Sequence, residues 1–83
     1  MATLTGRHAV ITGAGRGIGA AIARALANSG ASISLLGRDL QRLEATAQSI
    51  ASDTQCVVID VSDEPSVKAA FEQIRKRFPR IDI

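Results

Sequence analysis

The feature that most constrains this 83-residue chain is residues 12–19, TGAGRGIG, where four glycines fall within eight residues directly after the apolar run AVI. A strand that turns sharply into a helix aims unpaired N–H groups and the positive end of the helix dipole at one point, where a phosphate can bind. Side chains there would obstruct it. In the spacing Gly13, Gly17, Gly19, the first permits the tight turn and the second lets the backbone approach a pyrophosphate. The third lets helix and strand pack closely, while Gly15, Arg16 and Ile18 contribute from the same loop. The stretch is not a P-loop, which needs Gly-Lys followed by Ser or Thr; here Gly17 is followed by Ile18 and Gly19.

The context is that of a dinucleotide fingerprint, because short apolar runs alternate with amphipathic segments, the pattern of βα units and a parallel sheet. A first strand is expected over residues 8–12. After the glycines, Ile18, Ala21, Ile22, Ala25 and Leu26 recur at helical spacing and predict an apolar helix face, with Gly30 just past the helix end. SISLLG, residues 32–37, reads as the second strand, and Asp39 is a good N-cap for a helix marked by Leu40, Leu43, Ala47 and Ile50. QCVVID, residues 55–60, reads as a third strand buried on both faces. Ser62 is expected to cap a third helix whose stripe is Val67, Ala70, Phe71, Ile74 and Phe78, ended by Pro79. Residues 81–83, IDI, look like the opening of a fourth strand. The expected fold is therefore α/β, a Rossmann-type parallel sheet running β-α-β-α-β-α plus the start of a fourth strand. It forms one partial dinucleotide-binding domain over residues 1–83. Right-handed crossovers order the strands 3-2-1 and then return to place strand 4 beside strand 1, with the first two helices on one face and the third on the other.

Composition narrows the function class. With 46% hydrophobic and 22% charged residues the chain reads as globular, and a domain of this size buries only about 60–65% of its unfolded surface. No apolar run approaches the length needed to span a bilayer, and the N-terminus lacks a signal-peptide pattern, so a cytoplasmic location is expected. The single cysteine, Cys56, excludes an internal disulfide and a cysteine-rich metal site and reads as a small core residue. Arg75, Lys76, Arg77 and Arg80 read as solvated cations near a helix C-terminus, not as a nucleic-acid patch, since no aromatic residues interleave them. His8, with no ligand-type partner nearby in sequence, is expected at the surface.

Thr12-Gly13-x-x-x-Gly17-x-Gly19 resembles the TGxxxGxG cofactor motif of the short-chain dehydrogenase/reductase family. GRHAVITGAGRGIGAAIARALANSGA is similar to that family's N-terminus, and VIDVSD to its adenine-binding segment, so the resemblance covers essentially the whole chain. It implies an oxidoreductase, homo-oligomeric as a parent protein, that transfers hydride between a nicotinamide cofactor and a carbonyl or alcohol. A 3-oxoacyl thioester reductase is one such relative. Asp60 falls where the family's Asp bonds the adenine amino group, and Val61 where its neighbour supplies a backbone contact.

The nucleotide is expected to be NADP(H), ahead of NAD(H). An acidic residue at the end of the second strand would accept bonds from a ribose 2′-hydroxyl and repel a 2′-phosphate. That position is Gly37, followed by Arg38, which gives room and a guanidinium to hold the phosphate. Arg16 stands where NADP-preferring members resemble it in carrying a basic residue. The family's catalytic Tyr, Lys, Ser and Asn all follow the fourth strand, and this sequence has no tyrosine. No catalytic role is therefore carried over to any residue of the chain, and the 83 residues alone are expected to be inactive. The alternative is a free-standing, non-catalytic nucleotide-binding or regulatory fragment.

Overall fold

A computed structural model describes residues 4–83. Six elements follow in the expected alternation: β1 His8–Thr12, α1 Gly17–Asn28, β2 Ser32–Gly37, α2 Leu40–Gln48, β3 Thr54–Val58 and α3 Glu64–Arg77. The strands pair in parallel in the order β1-β2-β3, with His8 opposite Ser32 and Gly37 opposite Val58. β2 is central, and Ile33, Ser34, Leu35 and Leu36 are all fully buried because helices cover both its faces.

Alternation along β2 divides the core in two. Ile33 and Leu35 point to the side of Ala23 on α1 and Leu43 on α2, while Leu36 points to the side of Ala70 and Ile74 on α3. The first two helices thus share one face and the third takes the other. The tail extends the sheet beyond β1. Ile83 N donates to His8 O at 3.2 Å and Ile83 O accepts from Val10 N at 2.9 Å, the bond pattern of a parallel bridge opposite Ala9. The spatial order 3-2-1 followed by the start of a fourth strand is therefore in place.

Four sequence expectations are corrected. The α1 stripe is right only at its end: Leu26 packs against the core, but Ile18 is 80% exposed and Ile22 46%, and the buried residues are Ala20 and Ala23. The first half of the helix meets the sheet through its small residues because Gly19 lies close against the Gly13 carbonyl. His8 is buried, not at the surface, with Nδ1 2.9 Å from Arg80 O, Nε2 2.6 Å from Ser34 Oγ and its ring stacked on Phe78 at 4.4 Å. A carbonyl oxygen only accepts, so Nδ1 donates to Arg80 O, while Ser34 Oγ lies between His8 Nε2 and Gln55 Oε1, the latter 3.3 Å away. Ser62 does not cap α3. Its N–H and hydroxyl both bond Asp60 Oδ1, and Asp63 takes the N-cap position without a side-chain bond. Finally, β3 ends at Val58, two residues early, since Asp60 is drawn into that turn.

Two expected helix boundaries do form as read. Asp39 Oδ1 caps α2 through Gln41 N at 3.0 Å and Arg42 N at 3.3 Å. Past α1, Gly30 takes φ +100°, with Gly30 N bonded to Ala27 O and Ala31 N to Leu26 O, the paired bonds of a Schellman motif.

Candidate nucleotide-binding site

Parallel pairing brings the carboxyl ends of β1, β2 and β3 to one edge of the sheet, so three loops meet there. The first is the glycine loop. Gly13 and Gly17 adopt φ +64° and +61°, the left-handed region that a Cβ disfavours. Gly19 has no such angle and is small for a different reason: a Cβ there would overlap the carbonyl of Gly13. The loop is tied to the sheet by Ala14 N donating to Leu36 O at 3.1 Å.

This geometry leaves the first turn of α1 open. Arg16 is the N-cap with an extended backbone and gives no side-chain bond, and no acidic residue stands in that turn. The first N–H groups of α1 and the positive dipole end therefore face outward.

The loop after β2 supplies the opposite wall. A cavity of about 280 Å³ lies between the two, lined by Gly13, Gly15, Arg16, Gly37, Arg38, Asp39, Arg42 and Leu43. Arg38 Nη2 reaches Asp60 Oδ1 at 3.3 Å, which links the third loop to this wall. The Asp60 carboxyl is held below the ordinary carboxylate range, first by the Ser62 hydroxyl, then by the Ser62 N–H and, more weakly, by Arg38. Both arginine ion pairs, Arg38 with Asp60 and Arg42 with Asp39, are solvent-exposed, so a competing anion can displace them at little cost.

Of the residues singled out in the sequence, Gly13, Gly15, Arg16, Gly37 and Arg38 line one cavity, and Asp60 is one ion pair away. Gly17 and Gly19 shape the loop from behind, and Ile18 and Val61 stand exposed beside it. Asp39, read from the sequence only as a helix cap, and Arg42 and Leu43 also line the cavity and were not among the site candidates. The available signal was a cation four residues after Arg38, in the first turn of the helix that Asp39 caps.

A parallel sheet with a glycine-rich β1–α1 turn and a cavity at the strands' carboxyl ends defines the Rossmann-type α/β class. Within it, the family model described as short chain dehydrogenase matches residues 7–83, and the chain belongs to that family. Mouse (Mus musculus) dehydrogenase/reductase SDR family member 1 is 44% identical over 87 residues, covering 100% of this chain and 28% of that protein. Among solved structures, a metagenomic short-chain oxidoreductase in complex with NADP has a TM-score of 0.92 at 36% identity, over 96% of this chain and 38% of that one. The 3-ketoacyl-(acyl-carrier-protein) reductase of Brucella melitensis, complexed with NADH, has a TM-score of 0.91 at 36% identity, over 96% of this chain and 33% of that one. The chain spans 37% and 28% of the length of the first two curated relatives it matches.

Proposed function

We propose that residues 1–83 form the NADP(H)-binding part of an oxidoreductase that moves hydride between NADP(H) and a carbonyl or alcohol. The observation that carries this reading is the cavity of about 280 Å³ lined by Arg16, Gly37 and Arg38, in which the absence of a side chain at Gly37 leaves room for a 2′-phosphate. In this reading the backbone of Gly13, Gly15, Gly17, Ile18 and Gly19 lies against the pyrophosphate. Arg16 and Arg38 take the 2′-phosphate, while Asp60 and Val61 meet the adenine. The residues fit such a group, because the open first turn of α1 offers N–H donors and the glycines remove the side chains that would fill the cradle. The bound nicotinamide would supply the hydride. This chain's own residues bind and orient the nucleotide, and no residue of it is assigned a proton-transfer role. A ketone or 3-oxoacyl thioester is the proposed substrate class.

The test is Arg38→Glu with binding of 2′,5′-ADP and 5′-AMP measured by calorimetry. A hydrogen bond to a charged group contributes about 1.5–3 kcal/mol, so the preference for 2′,5′-ADP should fall by about ten- to a hundredfold. An unchanged ratio would sink the NADP(H) assignment.

A further inference from the structure

Arg42 belongs to the cavity wall, yet neither the glycine loop nor the end of β2 accounts for it. Its stem is fixed against the glycine loop: a Cβ placed on Gly15 would lie 3.0 Å from Arg42 Cβ. Its head is turned aside, with Nε 3.4 Å from Asp39 Oδ2, and both side chains are about half exposed. Asp39 also lines the cavity, but its Oδ1 is held by Gln41 N and Arg42 N at the start of α2, so the carboxylate does not travel with the guanidinium.

We infer that Arg42 is a third cation for the 2′-phosphate, parked on Asp39 in the free protein and transferred to the phosphate when the nucleotide binds. The inference rests on the NADP(H) reading and specifies how that site gains its selectivity. The charges support it. A phosphate monoester carries about −1.5 to −2 charges at pH 7. Arg38 and Arg42 each face a carboxylate in the free protein, Asp60 and Asp39, so the cations around the cavity are partly neutralised and the dianion draws on all three arginines. Exchanging one exposed carboxylate for a phosphate trades a weak ion pair for stronger, bidentate-capable bonds. The stem contact with Gly15 keeps the side chain beside the cavity throughout, so the transfer needs only rotation of the outer torsions.

The full-length protein is titrated with 2′,5′-ADP and with 5′-AMP as wild type, Arg42→Met, Arg42→Lys and Asp39→Asn. Arg42→Met keeps the stem and should weaken 2′,5′-ADP by about tenfold while 5′-AMP stays within about twofold. Arg42→Lys should recover part of the loss. Asp39→Asn keeps an oxygen to cap α2 and frees Arg42, so it should tighten 2′,5′-ADP by about threefold. Equal losses for both ligands in Arg42→Met would make the residue merely structural, and a wild-type preference that survives Arg42→Met would overturn the inference alone. A wild type with no preference for 2′,5′-ADP would overturn the NADP(H) reading and this inference with it.

Discussion

Two glycines of the loop are required for different reasons, and the difference is measurable. At Gly19 the obstacle is contact: a Cβ would overlap the Gly13 carbonyl and stand 3.3 Å from Ala14 Cα. Gly19→Ala must push α1 away from the loop, and over-packing of this kind costs about 1–3 kcal/mol. At Gly17 a Cβ would meet nothing within 4 Å, but the backbone φ of +61° is strained for any L side chain, at about 1–2 kcal/mol. Urea unfolding should show both losses. Only Gly19→Ala should also displace the Gly13 and Ala14 amide resonances, since only there does the added atom strike the neighbouring turn. A Gly19→Ala protein with wild-type stability and spectrum would refute the close approach. The spacing of these glycines was legible in the sequence because it reflects local backbone need. Arg42 was not, because its place beside Gly15 depends on how α2 crosses the glycine loop.

Among the elements, β1 and α1 show where pattern reading succeeds and fails. Each strand and helix was recoverable from alternation and capping residues, including Asp39 and Gly30. The apolar stripe on α1 was misassigned at Ile18 and Ile22 but not at Leu26, because a run of Ile and Ala satisfies helical periodicity on more than one face, and the glycine turn chose the face carrying Ala20 and Ala23. His8 failed for a related reason. Its partners Ser34, Phe78 and Arg80 lie 26, 70 and 72 residues away in sequence, so no local pattern marks it as buried. Ser34 is fully buried, and its hydroxyl is the partner of His8 Nε2. Ser34→Ala removes the hydroxyl that joins His8 Nε2 to Gln55 Oε1 and should cost about 1–3 kcal/mol, read as a lower urea midpoint with an unchanged slope. A midpoint equal to wild type would show that the imidazole finds another partner.

At the scale of the molecule, the tail closes the sheet through one carboxylate. Asp82 accepts His8 N at 2.9 Å and Arg80 Nε at 2.8 Å, with Arg7 Nη1 at 3.5 Å. Its carboxyl is held below the ordinary range, foremost by the His8 N–H; partial burial opposes this, and Arg80 and Arg7 add to the lowering. Because the folded value lies below the unfolded one, the contribution is complete above about pH 4 and is lost as pH falls through the depressed folded value. Stability measured from about pH 6 down to about pH 2.5 should therefore fall at the acid end, and Asp82→Asn should flatten that fall. Protection of the Val10 amide, which bonds Ile83 O, should decline over the same range. An Asp82→Asn protein with the wild-type acid profile would remove Asp82 from the account.

By itself the sequence determined the order of strands and helices, the glycine loop and the family, because each follows from residues close together along the chain. Tertiary structure decided what lies between distant segments: the helix face that α1 buries, the enclosure of His8, and the gathering of Arg16, Arg38 and Arg42 around one cavity. Those outcomes depend on how parallel strands bring their carboxyl ends together and on how closely each helix can approach the sheet, distances that no local pattern of residues encodes.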